Sequence, residues 1–160
     1  MAYFGAVAVI LAMYMIWREY SGFLSGELGW SRCYLRALFD YREKVRCYMQ
    51  TPMRWAEGYT DDMLISCGFL ERLMQGEDIG TAYRLARSDM GVSDSVDALL
   101  TDCFDRLGEG YLDTELEVLD GVIDKLSREE AREAEALAKR RKAAGALLGA
   151  FASGVVILVI

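Results

Sequence analysis

Glu135-Ala136-Leu137-Ala138-Lys139-Arg140-Arg141-Lys142-Ala143-Ala144-Gly145-Ala146-Leu147-Leu148-Gly149 is the stretch in which charge stops. Four basic residues stand together at 139 to 142, and from Ala143 to Ile160 there is no Asp, Glu, Lys or Arg. Upstream, Leu116, Leu119, Val122 (or Ile123) and Leu126 recur at steps that line one face of a helix, ahead of Ala131, Ala134 and Ala138. Between Thr114 and the charge-free run only Gly121 interrupts the pattern. The spacing predicts a helix of about 45 residues, or two nearly collinear ones, capped by Asp113 and continuing into a run suited to a bilayer.

The other end of the chain mirrors this one. Met1 to Trp17 also contains no charged side chain, so all 43 charges of the 160 residues fall between the two ends. That segregation explains how a chain with 27% charged residues has a mean hydropathy of +0.11. As a helix the first run covers roughly 25 Å, slightly less than a ~30 Å hydrocarbon core. Tyr3 at one end, with Tyr14 and Trp17 at the other, suit the two interfaces of a membrane. No Lys or Arg precedes the run, so it lacks the charged start of a cleaved signal peptide. Arg18 and the basic residues Lys139, Arg140, Arg141 and Lys142 border the inner ends of the two runs. Positive-inside asymmetry then puts the middle of the chain in the cytoplasm, with both termini across the membrane.

The expected organisation is therefore a transmembrane helix over 1–17, a juxtamembrane linker over 18–29, a cytoplasmic helical bundle over 30–142 and a second transmembrane helix over 143–160. Gly22, Gly26 and Gly29 make the linker read as a flexible joint. Gly145, Gly149 and Ser153, every fourth residue, would let another membrane helix approach closely, either the first run or a second copy of the chain.

Within the middle segment every periodic stretch is helical and none alternates with a strand's period. Tyr34, Leu38, Tyr41, Val45 and Tyr48 are spaced 4, 3, 4, 3 and predict a helix from Trp30 to Met49. Thr51-Pro52 starts the next helix. Thr60-Asp61-Asp62 starts another, whose face runs through Leu64, Cys67, Phe69 or Leu70, Leu73 and Met74 to Gly76. Ile79 to Met90 would bury Ala82, Tyr83, Leu85 and Ala86. Ser93-Asp94 opens a helix with Val96, Leu99, Leu100, Cys103, Phe104 and Leu107 inward and Gly108 at its end. The fold class is all-α: five to six helices in a bundle inserted between two membrane helices.

The chemistry of a typical enzyme is missing. With no histidine there is no Ser/His or Cys/His nucleophile and no imidazole ligand. No P-loop is present, and Asp61/Asp62 and Glu129/Glu130 read as capping or solvated carboxylates. No cofactor or metal is expected, and the chain is expected not to be an enzyme. Cys33, Cys47, Cys67 and Cys103 form no CxxC pair and read as thiols filling a core. The charge varies with position: residues 18–54 carry a net +3, 55–138 a net −14 and 139–142 a further +4. Arg32, Arg36, Arg42, Lys44 and Arg46 make one helix basic, but the acidic total argues against nucleic acid. The basic ends suit anionic lipid, and the acidic middle suits a basic partner protein.

Leu35-Arg36-Ala37-Leu38, Tyr48-x-x-Thr51-Pro52-Met53, Leu107-Gly108 with Asp113, and the long helix running from acidic to basic to apolar together resemble the stage III sporulation protein AB family. The resemblance runs over nearly the whole chain, with Met53 where that family usually has leucine and Thr114-Glu115 where it has glutamine. It implies a platform-like component of the secretion-like complex between mother cell and forespore, in the mother-cell membrane. It also implies docking of a secretion-type ATPase through the cytoplasmic helical domain, alongside other subunits of that complex. A membrane-anchored, self-associating scaffold or signalling adaptor is the alternative.

Overall fold

A computed structural model describes residues 2–107 and 111–159, the side chains of 2–6, 8–10, 20, 23, 24, 148, 149 and 151–159 excepted. Gly108, expected to end a helix, lies outside the described residues, as do the side chains of Tyr3, Gly149 and Ser153. The described chain is all-helical, with no strand. In order come α1 (Ala2–Tyr48), α2 (Pro52–Gly58), α3 (Asp62–Ser66), α4 (Phe69–Met74), α5 (Ile79–Ala86), a 3-10 turn (Arg87–Asp89), α6 (Asp94–Arg106) and α7 (Leu112–Val159).

The chain divides into two compact units, one of Met1–Ser25 with Arg132–Ile160 and one of Gly26–Ala131. Of the two readings the sequence leaves open, one long helix or two nearly collinear ones, the structure has the first: α7 runs unbroken for 48 residues from the apolar stripe through the basic cluster into the apolar run. Its start is two residues earlier than expected, so Asp113 lies in the first turn rather than at the cap, still favourably placed at the positive end of the dipole.

The flexible joint expected at 18–29 is instead helix, part of the 47-residue α1. Ser21 and Ser25 donate their hydroxyls to the carbonyls of Arg18 and Ser21, at 3.1 and 2.6 Å. Glycine in a helix costs about 1 kcal/mol relative to alanine but does not forbid it. None of the three is required by packing: a Cβ at Gly22 or Gly26 would meet nothing within 4 Å, and one at Gly29 would make only an ordinary contact with the end of Met63 at 3.7 Å.

The Gly26–Ala131 bundle is built on the inward face of α1. Tyr34, Leu38, Tyr41 and Val45 are buried as their spacing requires, but Tyr48, the last residue of the helix, is 69% exposed, its ring under the Lys44 ammonium at 5.6 Å. Tyr34 is the centre of the core, its ring 5.7 to 6.4 Å from those of Tyr83, Phe69, Phe104 and Trp30. Trp55 of α2 packs edge-on against Tyr41 at 5.4 Å and gives its indole N–H to Asp40 Oδ2 at 2.8 Å.

The helix expected from Asp61 to Gly76 is two helices. Gly68, at φ +74°, takes the left-handed conformation between α3 and α4, which turns the chain while Leu64, Cys67, Phe69, Leu70 and Leu73 all stay buried. Met74 and Leu85, expected inward, are exposed: Met74 is the last residue of α4, and Leu85 lies off the buried face that Ile79, Ala82, Tyr83 and Ala86 form on α5. The predicted helix to Met90 ends at Ala86 and tightens into the 3-10 turn. In α6, Val96, Leu100, Cys103 and Phe104 are buried, followed by Leu107 just past its end, with Leu99 half-buried.

The caps follow the sequence in part: Ser93 stands at the start of α6 without a side-chain capping bond, whereas Thr51 caps α2. Thr51 Oγ1 accepts from the Arg54 N–H at 3.4 Å, with Pro52 at the first helical position. At the start of α3 the cap is Asp61 and not Thr60. Asp61 Oδ1 accepts from the N–H groups of Met63 and Leu64 at 3.0 and 3.5 Å and from the Cys33 thiol at 3.1 Å, while its other oxygen faces Arg36 at 3.5 Å. Replacing Asp61 by alanine should lower bundle stability by about 1–2 kcal/mol, and by asparagine by clearly less, because the amide oxygen still caps. Urea unfolding of the two variants checks this; equal losses would mean that the cap contributes nothing.

Candidate interaction surfaces

The basic cluster sits within α7, and Lys139, Arg140, Arg141 and Lys142 are all exposed. Four successive residues on a helix turn through about 100° each, so they ring its circumference rather than share a face. Lys139 pairs with Glu135 at 2.7 Å, which holds that carboxyl below its usual range, and Arg141 donates to Ser25 Oγ at 3.0 Å. Beyond the cluster Leu147 is exposed, and a Cβ added at Gly145 would meet nothing within 4 Å. On the N-terminal part of α1, Val7, Leu11, Tyr14, Met15 and Ile16 are exposed, Ile16 by 70%. Among the described residues no helix is long and apolar enough to cross a membrane.

Four of the five basic residues that make this part of α1 basic are paired with carboxylates of the bundle. Arg32 reaches Glu130 at 2.7 Å, Arg36 reaches Asp61, Arg42 forks onto both oxygens of Asp120 and onto Glu43, and Arg46 pairs with Glu43 at 2.8 Å. Arg42 is held above its ordinary pKa, chiefly by its hydrogen bond to Asp120. Elsewhere Arg84 meets Asp105 at 2.6 Å and Arg87 meets Asp97 at 3.5 Å. Of the Asp61/Asp62 and Glu129/Glu130 pairs, Asp61 and Glu130 each hold an arginine. Gly26–Ala131 nonetheless carries a net −10, because its 22 carboxylates outnumber its 12 cations. Glu57, Asp62, Asp89 and Asp94 are exposed members of that surplus.

A second surface was not visible in the sequence. At the end of the bundle where α1 stops and α7 starts, Tyr41, Val45, Met49, Pro52, Leu112 and Glu115 are among the residues lining an open cleft of about 300 Å³. Met49 closes α1 in the left-handed conformation at φ 51°, its N–H on the Val45 carbonyl at 2.9 Å and that of Gln50 on Lys44 at 3.5 Å, the pattern of a helix ending that glycine normally provides.

Three of the four cysteines are core filler, as expected, while Cys47 is exposed near the end of α1. Burial pushes the thiols of Cys33, Cys67 and Cys103 up, that of Cys103 to about 12, with the hydrogen bond to Asp61 adding to the effect at Cys33. A thiol reagent should therefore modify Cys47 rapidly and the other three only on unfolding; stopped-flow labelling that shows two or more fast thiols would contradict this packing. No three Cys, Asp or Glu side chains among the described residues converge to hold a metal ion. Compared with protein-family models, with curated proteins and with solved structures, the chain matches none.

Proposed function

We propose that the chain is a non-enzymatic membrane platform: its two charge-free ends enter a cell membrane, and its acidic helical bundle docks a secretion-type ATPase on the cytoplasmic side. The resemblance to the stage III sporulation protein AB family supplies the setting, the mother-cell membrane around a forespore, and the other subunits of that complex. The observation that carries the reading is the partition of charge along the chain. Apolar side chains are exposed at 7, 11, 14, 15, 16 and 147, in the unit that carries a net +3; the bundle, which carries −10, also exposes apolar side chains, but these lie among charged residues. Leu11, Tyr14, Met15 and Ile16 are exposed in a run with no charge among them, an arrangement costly in water and favourable in lipid. A ring of Lys and Arg beside such a run gains about 1 kcal/mol per residue near anionic headgroups.

Two measurements test this. A maleimide that cannot cross membranes should reach Cys47 only after cells are permeabilised; labelling in intact cells would overturn the cytoplasmic placement. Cys47 serves because Cys33 and Cys103 are buried. Binding of the full chain to the ATPase should weaken as salt rises and weaken again in Glu57→Lys or Asp89→Lys. Affinity indifferent to both would remove the electrostatic basis of docking.

The alternative, a self-associating scaffold whose partner is a second copy, draws on the empty space beside Gly145. Bulky replacement of Gly145 or Gly149 should abolish dimers in lipid if that stripe is a contact between chains, and leave ATPase binding intact.

A further inference from the structure

The cleft between the end of α1 and the start of α7 carries a more specific conclusion. Met49 is the one positive-φ residue other than glycine among those described. A side chain in the left-handed region costs on the order of 1 kcal/mol that glycine would not. Nothing in the helix ending needs methionine, since the backbone bonds of Met49 and Gln50 are indifferent to the side chain. What the side chain does is line the cleft, three-quarters exposed. Backbone strain held at a concave surface is the pattern of a binding position.

The surroundings agree. Met53 and Tyr48 are exposed beside Met49 in sequence, and Tyr111, next to the lining residue Leu112, is 89% exposed. Methionine and tyrosine are the residues that partner surfaces use to grip apolar side chains, methionine because it adapts and tyrosine because it is large and rigid. The opening, at about 300 Å³, is at the lower limit of small-molecule sites and suits one large anchoring side chain. Its charge has one sign: Glu115 lines it, and no lysine or arginine does. The nearby Arg42 and Arg46 are held by Asp120 and Glu43, Lys44 lies over Tyr48, and Asp113 is exposed next to Leu112. Arg54, exposed, is the only cation of α2.

We propose that this cleft receives a large apolar side chain from an amphipathic helix of a protein partner, with lysine or arginine beside that residue meeting the exposed Asp113. This helix-in-groove contact would be the anchor point of the docking proposed above and rests on that reading.

The test uses the full chain in lipid nanodiscs with isotope-labelled methionine methyls. The probe is a synthetic amphipathic helical peptide with a central leucine between lysines, beside two controls in which leucine becomes alanine or the lysines become glutamates. The leucine–lysine peptide should shift the Met49 and Met53 methyl signals and leave those of Met74 and Met90 in place. Each control should bind about tenfold more weakly or worse, the loss of one anchor contact. In the protein, Met49→Gly should raise the urea midpoint and weaken the peptide about tenfold. Gain of stability with loss of binding is a pair of changes that a purely structural methionine would not give.

Shifts spread over all four methionines, a glutamate peptide that binds as well, or Met49→Gly with unchanged affinity would each overturn the proposal. If the peptide behaves as expected but the ATPase does not bind the chain, the ATPase reading fails and the cleft stands. If the ATPase binds wild type and Met49→Gly alike, the docking stands and this anchor is wrong.

Discussion

Tyr34→Ala is expected to remove most of the stability of the Gly26–Ala131 bundle. The Tyr34 side chain is fully buried and four aromatic rings from α1, α4, α5 and α6 surround it, so no single neighbour can move in to fill the space. Truncating a buried aromatic to alanine costs about 3–5 kcal/mol, and each ring pair adds about 0.5–1.5 kcal/mol beyond its area. Against the ~5–15 kcal/mol typical of a domain, the variant should lose 2 M or more from its urea midpoint, taking a slope of about 1–3 kcal/mol per M. Tyr34→Phe keeps the rings and loses only the hydroxyl contact with the Met90 sulfur at 3.1 Å, and should cost less than about 1 kcal/mol. Circular dichroism in urea separates the two. A small loss in Tyr34→Ala would mean that the centre of the core lies elsewhere.

That Tyr34 sits inside was legible from spacing alone, because the 4, 3, 4, 3 rhythm through Leu38, Tyr41 and Val45 has only one helical solution. The rhythm misled at Tyr48, where the helix ends and there is no longer a neighbour to pack against. The break at Gly68 was hidden for a related reason. Cys67 and Phe69 on either side are both buried, so the apolar pattern passes through the turn, and only a left-handed glycine in a short apolar run hints at it. At Gly22, Gly26 and Gly29 the error went the other way. Local glycine content suggested a joint, but a helix already long on both sides carries three weak residues without breaking.

The charge map shows a different limit. Composition gave the sign of each segment correctly, yet it could not show that Arg32 and Arg42 find Glu130 and Asp120, residues 98 and 78 positions away. Those pairings tie α1 to α7 and neutralise the arginines locally, each against one carboxylate, which leaves the net −10 of the bundle unchanged. They are exposed pairs and each adds little to stability, up to about 1 kcal/mol. Their effect is on what remains outside: carboxylates such as Glu57 and Asp89, with no arginine on them. The cleft was invisible for the same reason as the pairings, since Met49 and Leu112 meet only through the fold.

Raising the pH is expected to unfold the bundle cooperatively within about two units above pH 10. Burial raises the thiols of Cys33, Cys67 and Cys103 above an ordinary 9.0 and the phenols of Tyr34, Tyr41 and Tyr83 above an ordinary 10.0. At Tyr83 the hydrogen bond to Asp97 at 2.8 Å adds to burial, because the carboxylate accepts a proton that the phenolate would not have. All six groups are neutral in the folded state and ionise more easily in the unfolded one. The unfolded chain therefore holds fewer protons at high pH, and stability, complete below pH 9, declines as pH rises through the ordinary values toward the folded ones. Each group contributes a loss of about 1.4 kcal/mol per pH unit, so six together remove about 8 kcal/mol per unit once all are engaged. A domain stability of ~5–15 kcal/mol does not survive two such units. Tyrosinate absorbance and helix content should change together in a single steep transition, and Tyr34→Phe should make it shallower by one proton. Tyrosines that ionise near their ordinary value while the helix signal persists would show that water reaches these side chains, and the packed core argued from Tyr34 outward would be wrong.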